Sequence, residues 1–194
     1  MDLVYLIEHL PLWLSMFFLF FSALIEYVFP PFPGDTFLIA GGFFVAQGIL
    51  PIIPTFVVLT VGSTIGCVLG WLIGSRLTGL KKFIGPNYVK FIQNNYDQYG
   101  KWIILVNRFI PGLRGAFMIA AGLINVPLKI VIFWGTLSAM LWNSVLIGIG
   151  YIFSDNLENL LKFAEIYGKS FLVLIGLVAI CYVLCVFKNK VKRN

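Results

Sequence analysis

The sequence predicts an all-α polytopic membrane protein. It reads as two oppositely oriented re-entrant helical hairpins plus about three transmembrane helices, in an inverted-repeat-like order. Three observations predict this. The 194 residues are 60% hydrophobic and 11% charged, with a mean hydropathy of +0.95, and a soluble domain carries about twice that charged share. Two apolar stretches are broken by proline, glycine and buried-type charges. The distribution of lysine and arginine then requires one broken stretch to enter and leave on the same face. Residues 1–194 thus form a single integral membrane domain.

The net charge of +6 belongs to loops and the tail, where it sets topology, and implies no nucleic-acid partner. Cys67, Cys181 and Cys185 all lie in apolar runs and read as small packing residues rather than a disulfide framework or metal site. The single histidine, His9, reads as interfacial. No cofactor and no metal are expected. The N-terminus lacks the basic region and cleavage site of a secretory signal peptide, so the apolar segments themselves are expected to direct insertion.

Residues 1–11 mix apolar residues with Asp2, Glu8 and His9, as in an interfacial helix. Residues 12–50 form the first hairpin. Leu12 to Phe29 is apolar and phenylalanine-rich but carries Glu26. Pro30-Pro31-Phe32-Pro33-Gly34-Asp35 breaks it, and the run from Thr36 to Leu50 is short for a span. The break reads either as a hairpin tip holding Glu26 and Asp35 inside the membrane, or as an external turn with Asp35 capping the next helix. Pro51 and Pro54 close the unit.

Residues 55–77 form a transmembrane helix. Its Gly62, Gly66, Gly70 and Gly74, spaced by four, make a stripe that admits a neighbouring backbone, so they are assigned to helix packing. Residues 78–101 form a cytoplasmic loop, in which Lys81, Lys82, Lys90 and Lys101 outweigh Asp97.

Residues 102–124 form the second hairpin, containing Arg108-Phe109-Ile110-Pro111-Gly112-Leu113-Arg114. An arginine at a bilayer centre costs about 2.5–3.5 kcal/mol on insertion scales. Pro111 removes a backbone donor and Gly112 lets the chain turn. Such a combination suits a broken helix lining a polar cavity. The competing reading has both arginines snorkelling at an interface.

Residues 126–153 form a second transmembrane helix, with Trp142-Asn143 inside it. Residues 170–187 form a third, after an acidic loop, and residues 188–194 a basic cytoplasmic tail. With the tail and the 78–101 loop inside and the acidic loop outside, helix 126–153 must start inside. The arginine stretch also starts inside, so it re-enters. The side of the N-terminus depends on whether residues 12–29 span or form half of a hairpin.

Glu26, the Pro30-Pro31-Phe32-Pro33-Gly34-Asp35 break, the glycine-spaced helix and the Arg108–Arg114 motif together resemble the DedA family, the bacterial branch of the VTT or SNARE-associated Golgi protein group. The resemblance covers residues 10–155. It puts the family's acidic residues on Glu26 and Asp35 and its arginines on Arg108 and Arg114. It implies two facing re-entrant hairpins in a bacterial inner (plasma) membrane and a flippase that transports lipid across the bilayer. Members are linked to returning undecaprenyl phosphate to the cytoplasmic leaflet, to moving phosphatidylethanolamine, to scrambling phospholipids, to membrane-potential maintenance and to drug resistance. The spacing from Glu26 to Gly34-Asp35 is shorter here than in some members.

The residues suit such a task. A phosphate headgroup needs a polar path through hydrocarbon, and the arginine fork binds phosphate at two points and stays charged when buried. Arg108 and Arg114, six apart, lie on opposite faces of a continuous helix, but a break at Pro111-Gly112 can turn both towards one cavity. Glu26 and Asp35 are expected to pair with them when the site is empty, and to couple transport to protons. A partner lipid bearing phosphate is therefore expected, with undecaprenyl phosphate ahead of phosphatidylethanolamine. A proton-dependent small-ion or drug transporter is the alternative. An enzyme is not expected: no His-Glu-x-x-His motif occurs, and no serine or cysteine stands beside a base. Coupled transport and scrambling stay open, as do monomer and homo-oligomer.

Overall fold

A computed structural model of the protein describes residues 11–29, 32–76, 86–109, 114–155 and 166. The expected interfacial helix 1–11 therefore lies outside the described residues except for Pro11, and so do the span 170–187, the tail 188–194, His9, Cys181 and Cys185. The described residues are helical, with no strand among them. In chain order the helices are α1 (Leu12–Val28), α2 (Gly34–Ala46), α3 (Ile52–Arg76), α4 (Pro86–Tyr99), α5 (Lys101–Val106), α6 (Arg114–Leu123) and α7 (Leu128–Ile152). Short 3-10 turns follow α5 (Asn107–Phe109) and α7 (Phe153–Asp155).

Proline and left-handed residues set these boundaries. Pro11 precedes α1, and Phe29, before the Pro30-Pro31 pair, has left the helical region at ψ 90°. Gly48 takes φ +74° after α2, and Asn125 takes φ +58° after α6; both are left-handed C-terminal stops. Each is followed by a proline, Pro51 or Pro127, that opens a 25-residue helix. Pro54 belongs to the first turn of α3 rather than to the preceding unit, because a first turn has no use for its missing N–H. Residues 78–101 are not simply a loop. They contain α4, whose Lys90, Gln93, Asn94, Asp97 and Gln98 are exposed while Tyr96 packs against the core; its polar face concealed the helix.

The helices pack in an exchanged pattern. The first arm of each broken stretch lies on the long helix that follows it, α1 on α3 and α5 on α7. The second arm lies on the long helix of the other half, α2 on α7 and α6 on α3. Glycines make the close contacts, and they correspond between halves. Gly42, eight residues into α2, lies against the Ile147 backbone of α7, and Gly122, eight residues into α6, lies against the Trp71 backbone of α3. Gly74 and Gly150, each two residues before the end of a long helix, lie against the Ile119 and Ile39 backbones of α6 and α2. Along α3, Gly62 and Gly66 face α1, at Phe20 and Leu24, whereas Gly70 and Gly74 face α6. One stripe thus serves two neighbours.

Two apolar clusters form the interior. One gathers Leu19, Ala23, Leu38, Ile39, Phe43, Leu59 and Ile147; the other gathers Tyr27, Cys67, Ile104, Met118 and Val131. Along α1 the changeover falls at Glu26, and along α3 at Ser63. Cys67 packs against Met118 and beneath Gly135. The outer surface is apolar as well, with Phe17, Phe18, Ile53, Phe133 and Ile152 exposed.

Candidate functional site

Four ionisable side chains are buried at the broken ends of the short helices. Glu26 lies in the last turn of α1, Asp35 in the first turn of α2, Arg108 in the 3-10 turn after α5, and Arg114 at the first position of α6. Their relative exposures are 5%, 3%, 0% and 2%. That burial overturns two of the alternatives above. Neither arginine snorkels at an interface. Asp35 is not at the N-cap of α2, which is Pro33, and its carboxylate lies buried on Arg114 rather than in an external turn. Pro33 and Gly34 stand at the α1–α2 break, while Pro30, Pro111 and Gly112, the other expected break residues, lie outside the described residues.

Arg114 holds both acids. Its Nη1 donates to Asp35 Oδ1 at 3.1 Å and its Nη2 to Asp35 Oδ2, a two-point fork. The same Nη2 lies 2.8 Å from Glu26 Oε1. Helix ends explain part of this choice. A carboxylate is disfavoured at the C-terminus of a helix and a cation at the N-terminus. Glu26 and Arg114 occupy those unfavourable ends, and each offsets the other. Asp35, at the N-terminus of α2, is favoured where it stands. Its Oδ1 also accepts from Trp142 Nε1 at 3.0 Å.

Arg108 has different company. Its Nη1 donates to the Tyr27 hydroxyl at 2.8 Å, and its Nη2 donates to the Ser63 hydroxyl at 2.9 Å and to Asn143 Oδ1 at 3.1 Å. Asn143 in turn donates from Nδ2 to Thr60 Oγ1 at 3.3 Å. The expectation that the carboxylates would pair with both arginines is therefore corrected. Among the described residues both acids lie on Arg114, because Arg108 sits where α1, α3 and α7 present neutral acceptors.

The charges thus come from helix ends, and most of the neutral partners come from the long helices. Tyr27, Thr60, Ser63, Trp142 and Asn143 were missed as site residues. The signal for Asn143 was present: a lone amide within an apolar 25-residue helix has to face a polar interior. Ser63 and Thr60 carried no comparable mark, since hydroxyls in such helices commonly bond their own backbone, as Thr64 does to the Thr60 carbonyl. Glu26 Oε2 and the Nε atoms of both arginines are buried without a hydrogen-bond partner among the described residues. Those groups are the unfilled hydrogen-bonding positions of the site.

Apolar outer faces around a buried charged centre at broken helix ends define a helical membrane protein of the polar-centred kind. The chain belongs to the VTT-domain family, the DedA group: the family model described as "VTT domain" matches residues 32–152. Glu26 precedes the matched region but is bonded into it through Arg114. An "Alkaline phosphatase-like protein" of Lactococcus lactis subsp. lactis (strain IL1403) is 28% identical over 88% of this chain and 85% of its own. "Inner membrane protein YghB" of Escherichia coli (strain K12) is 31% identical over 63% of this chain and 58% of its own. "Undecaprenyl phosphate transporter A" of Staphylococcus aureus (strain NCTC 8325 / PS 47) is 26% identical over 90% of this chain and 91% of its own. No solved structure matches the chain.

Proposed function

We propose that the protein moves a phosphate-bearing lipid between the leaflets of the bacterial inner membrane, with undecaprenyl phosphate as the favoured substrate. The observation that carries this is the meeting of two buried guanidiniums and two buried carboxyls at the ends of broken helices. Burying a charge costs several kcal/mol per ion even after relaxation. A site that keeps four of them, with unfilled donors on both arginines, suits an anionic headgroup that replaces the carboxylates as partner. The name of the Staphylococcus aureus relative supports the choice of lipid.

The membrane arrangement that fits this function has α1–α2 and α5–α6 as re-entrant hairpins of opposite orientation. α3 and α7, with 25 residues each, reach about 37 Å and can cross a hydrocarbon core of about 30 Å. α1, α2 and α6, with 17, 13 and 10 residues, reach only about 26, 20 and 15 Å. The matching glycines of the two halves support an inverted repeat. The single domain 1–194 then closes with a span over 170–187 and a cytoplasmic tail, so the chain is multi-pass.

In the resting site Glu26 and Asp35 hold Arg114. Protonation of either carboxyl weakens that hold and frees guanidinium donors for phosphate, which couples lipid entry to protons. Exposure of the site through one hairpin and then the other completes transfer. The protein carries the lipid and does not alter it.

Purified protein in proteoliposomes tests this with a leaflet-resolved lipid assay. Undecaprenyl phosphate is expected to be translocated, and Arg108→Ala and Arg114→Ala are each expected to reduce the flux at least tenfold. Unchanged flux in both variants would refute the proposal. Faster translocation of phosphatidylethanolamine would select the phospholipid flippase or scramblase reading. Flux of a small cation or drug without any phosphate lipid would select the antiporter reading. Release of inorganic phosphate would select a hydrolase, the reading that the name of the Lactococcus relative raises.

A further inference from the structure

The two arginines are not equivalent. Arg114 is matched by two carboxyls, whereas Arg108 is fully buried and its hydrogen bonds go to the neutral Tyr27, Ser63 and Asn143. Among the described residues no carboxylate lies within ion-pair distance of Arg108, and its Nε has no hydrogen-bond partner. Three neutral acceptors from α1, α3 and α7 fix the guanidinium, and Glu26 and Asp35 act on its charge only from beyond ion-pair distance. That is an unfavourable resting state for a buried cation, and an incoming anion relieves it.

Asn143 is the member of this cage whose chemistry decides its sign. Its amide is oriented at both ends, since Nδ2 donates to Thr60 and Oδ1 accepts from Arg108. An aspartate has nearly the same shape and would place a permanent counter-ion 3.1 Å from the guanidinium. The preceding residue, Trp142, holds Asp35. Neighbouring positions of α7 thus touch both halves of the charged site, one through an acid and the other through a base.

We propose that Arg108, rather than Arg114, sets affinity for the anionic headgroup, and that Asn143 is a positioning and specificity-determining residue whose neutrality keeps that charge available to a phosphate oxygen. This rests on the phosphate-lipid reading above. Arg114 then comes second: while Glu26 and Asp35 hold it, it adds little to affinity, and it takes up the phosphate only once a carboxyl is protonated.

The test uses the full-length protein in detergent and farnesyl phosphate as a soluble probe, with binding followed by the concentration needed for half-maximal thermal stabilisation. Inorganic phosphate alone, run in parallel, reports whether the headgroup suffices. Asn143→Asp is expected to keep or raise the melting temperature of the free protein, yet to need at least tenfold more probe. A merely structural role for Asn143 would not separate these two readouts. Asn143→Ser, which keeps a neutral acceptor, should bind within threefold of the parent. Arg108→Lys should weaken binding at least tenfold, and by at least threefold more than Arg114→Lys does.

If Asn143→Asp alone does not fold, the same change is read in a Glu26→Gln background, which restores the charge sum, against Glu26→Gln alone. Binding of the aspartate variant at the parent's concentration overturns the inference while leaving lipid transport intact. Absence of binding by the parent, together with unchanged translocation by Arg108→Ala, overturns the transport reading and the inference with it.

Discussion

Gly34 gives Glu26 the space that its carboxyl occupies. A Cβ built on Gly34 would lie 2.5 Å from Glu26 Oε2 and 2.6 Å from its Cδ. The first residue of α2 is thus shaped by the last turn of α1, and this contact sets how closely the two arms approach at the charged centre. Glu26 cannot retreat, because Oε1 is held by Arg114.

Gly34→Ala should therefore cost about 1–3 kcal/mol, the usual range for overpacking a filled interior. In a Glu26→Ala background the same change should cost much less, because the clashing group is gone. Chemical denaturation of the four proteins in a double-mutant cycle measures the coupling. Equal costs in both backgrounds would mean that the two residues do not meet as described.

The pair Asp35–Arg114 makes a second prediction. Removing one partner of a buried ion pair typically destabilises by about 3–5 kcal/mol. Asp35→Asn leaves Glu26, among the described residues, as the counter-ion at Arg114 and should fall at the lower end of that range. Arg114→Lys keeps the charge but loses the fork, and should lower lipid flux at least tenfold with a smaller loss of stability. Thermal unfolding and proteoliposome flux, measured on the same preparations, separate the two effects.

Trp142 donates its indole N–H to the Asp35 carboxylate, and hydrogen bonds to charged groups are worth about 1.5–3 kcal/mol. Trp142→Phe keeps most of the ring and should cost about that much. The loss should largely vanish when Asp35 is already alanine, which has no acceptor for the indole, and the same unfolding measurement reports this.

The glycines offer a contrast between equivalent and non-equivalent positions. Gly74→Val and Gly150→Val each drive a side chain into a backbone carbonyl of the opposing short helix, and should disrupt folding to similar degrees. Gly148→Val meets nothing within 4 Å and should be tolerated. Yield of monodisperse protein and melting temperature distinguish the three; a destabilised Gly148 variant beside a tolerated Gly150 variant would contradict the packing.

Proton coupling predicts that lipid flux varies with the pH difference across the vesicle membrane, and that this variation is lost in Glu26→Gln or Asp35→Asn. A pH response unchanged in both variants would assign any coupling to other groups.

Much of this architecture was readable along the chain. Hydropathy marks α3 and α7, and proline and glycine mark the interruption between α1 and α2, because each of these signals is local. The cost of burying charge singled out Glu26, Asp35, Arg108 and Arg114 before any partner was known. The family motifs pointed the same way. The polarity of residues 86–99 was a poor guide, since the exposed residues of α4, such as Lys90, Gln93 and Asp97, outweigh the face that carries Tyr96.

Partnership was a different matter. Arg114 meets Asp35 across 79 residues of chain, and Arg108 meets Asn143 across 35, and no periodicity encodes either pairing. From the chain alone, both acids and both bases formed one interchangeable set. Packing decided that Arg114 takes the carboxyls and Arg108 the neutral cage, because the second arm of each broken stretch crosses to the long helix of the other half. Burial and helix breaks are properties of a segment, whereas a counter-ion is a property of the space in which segments meet.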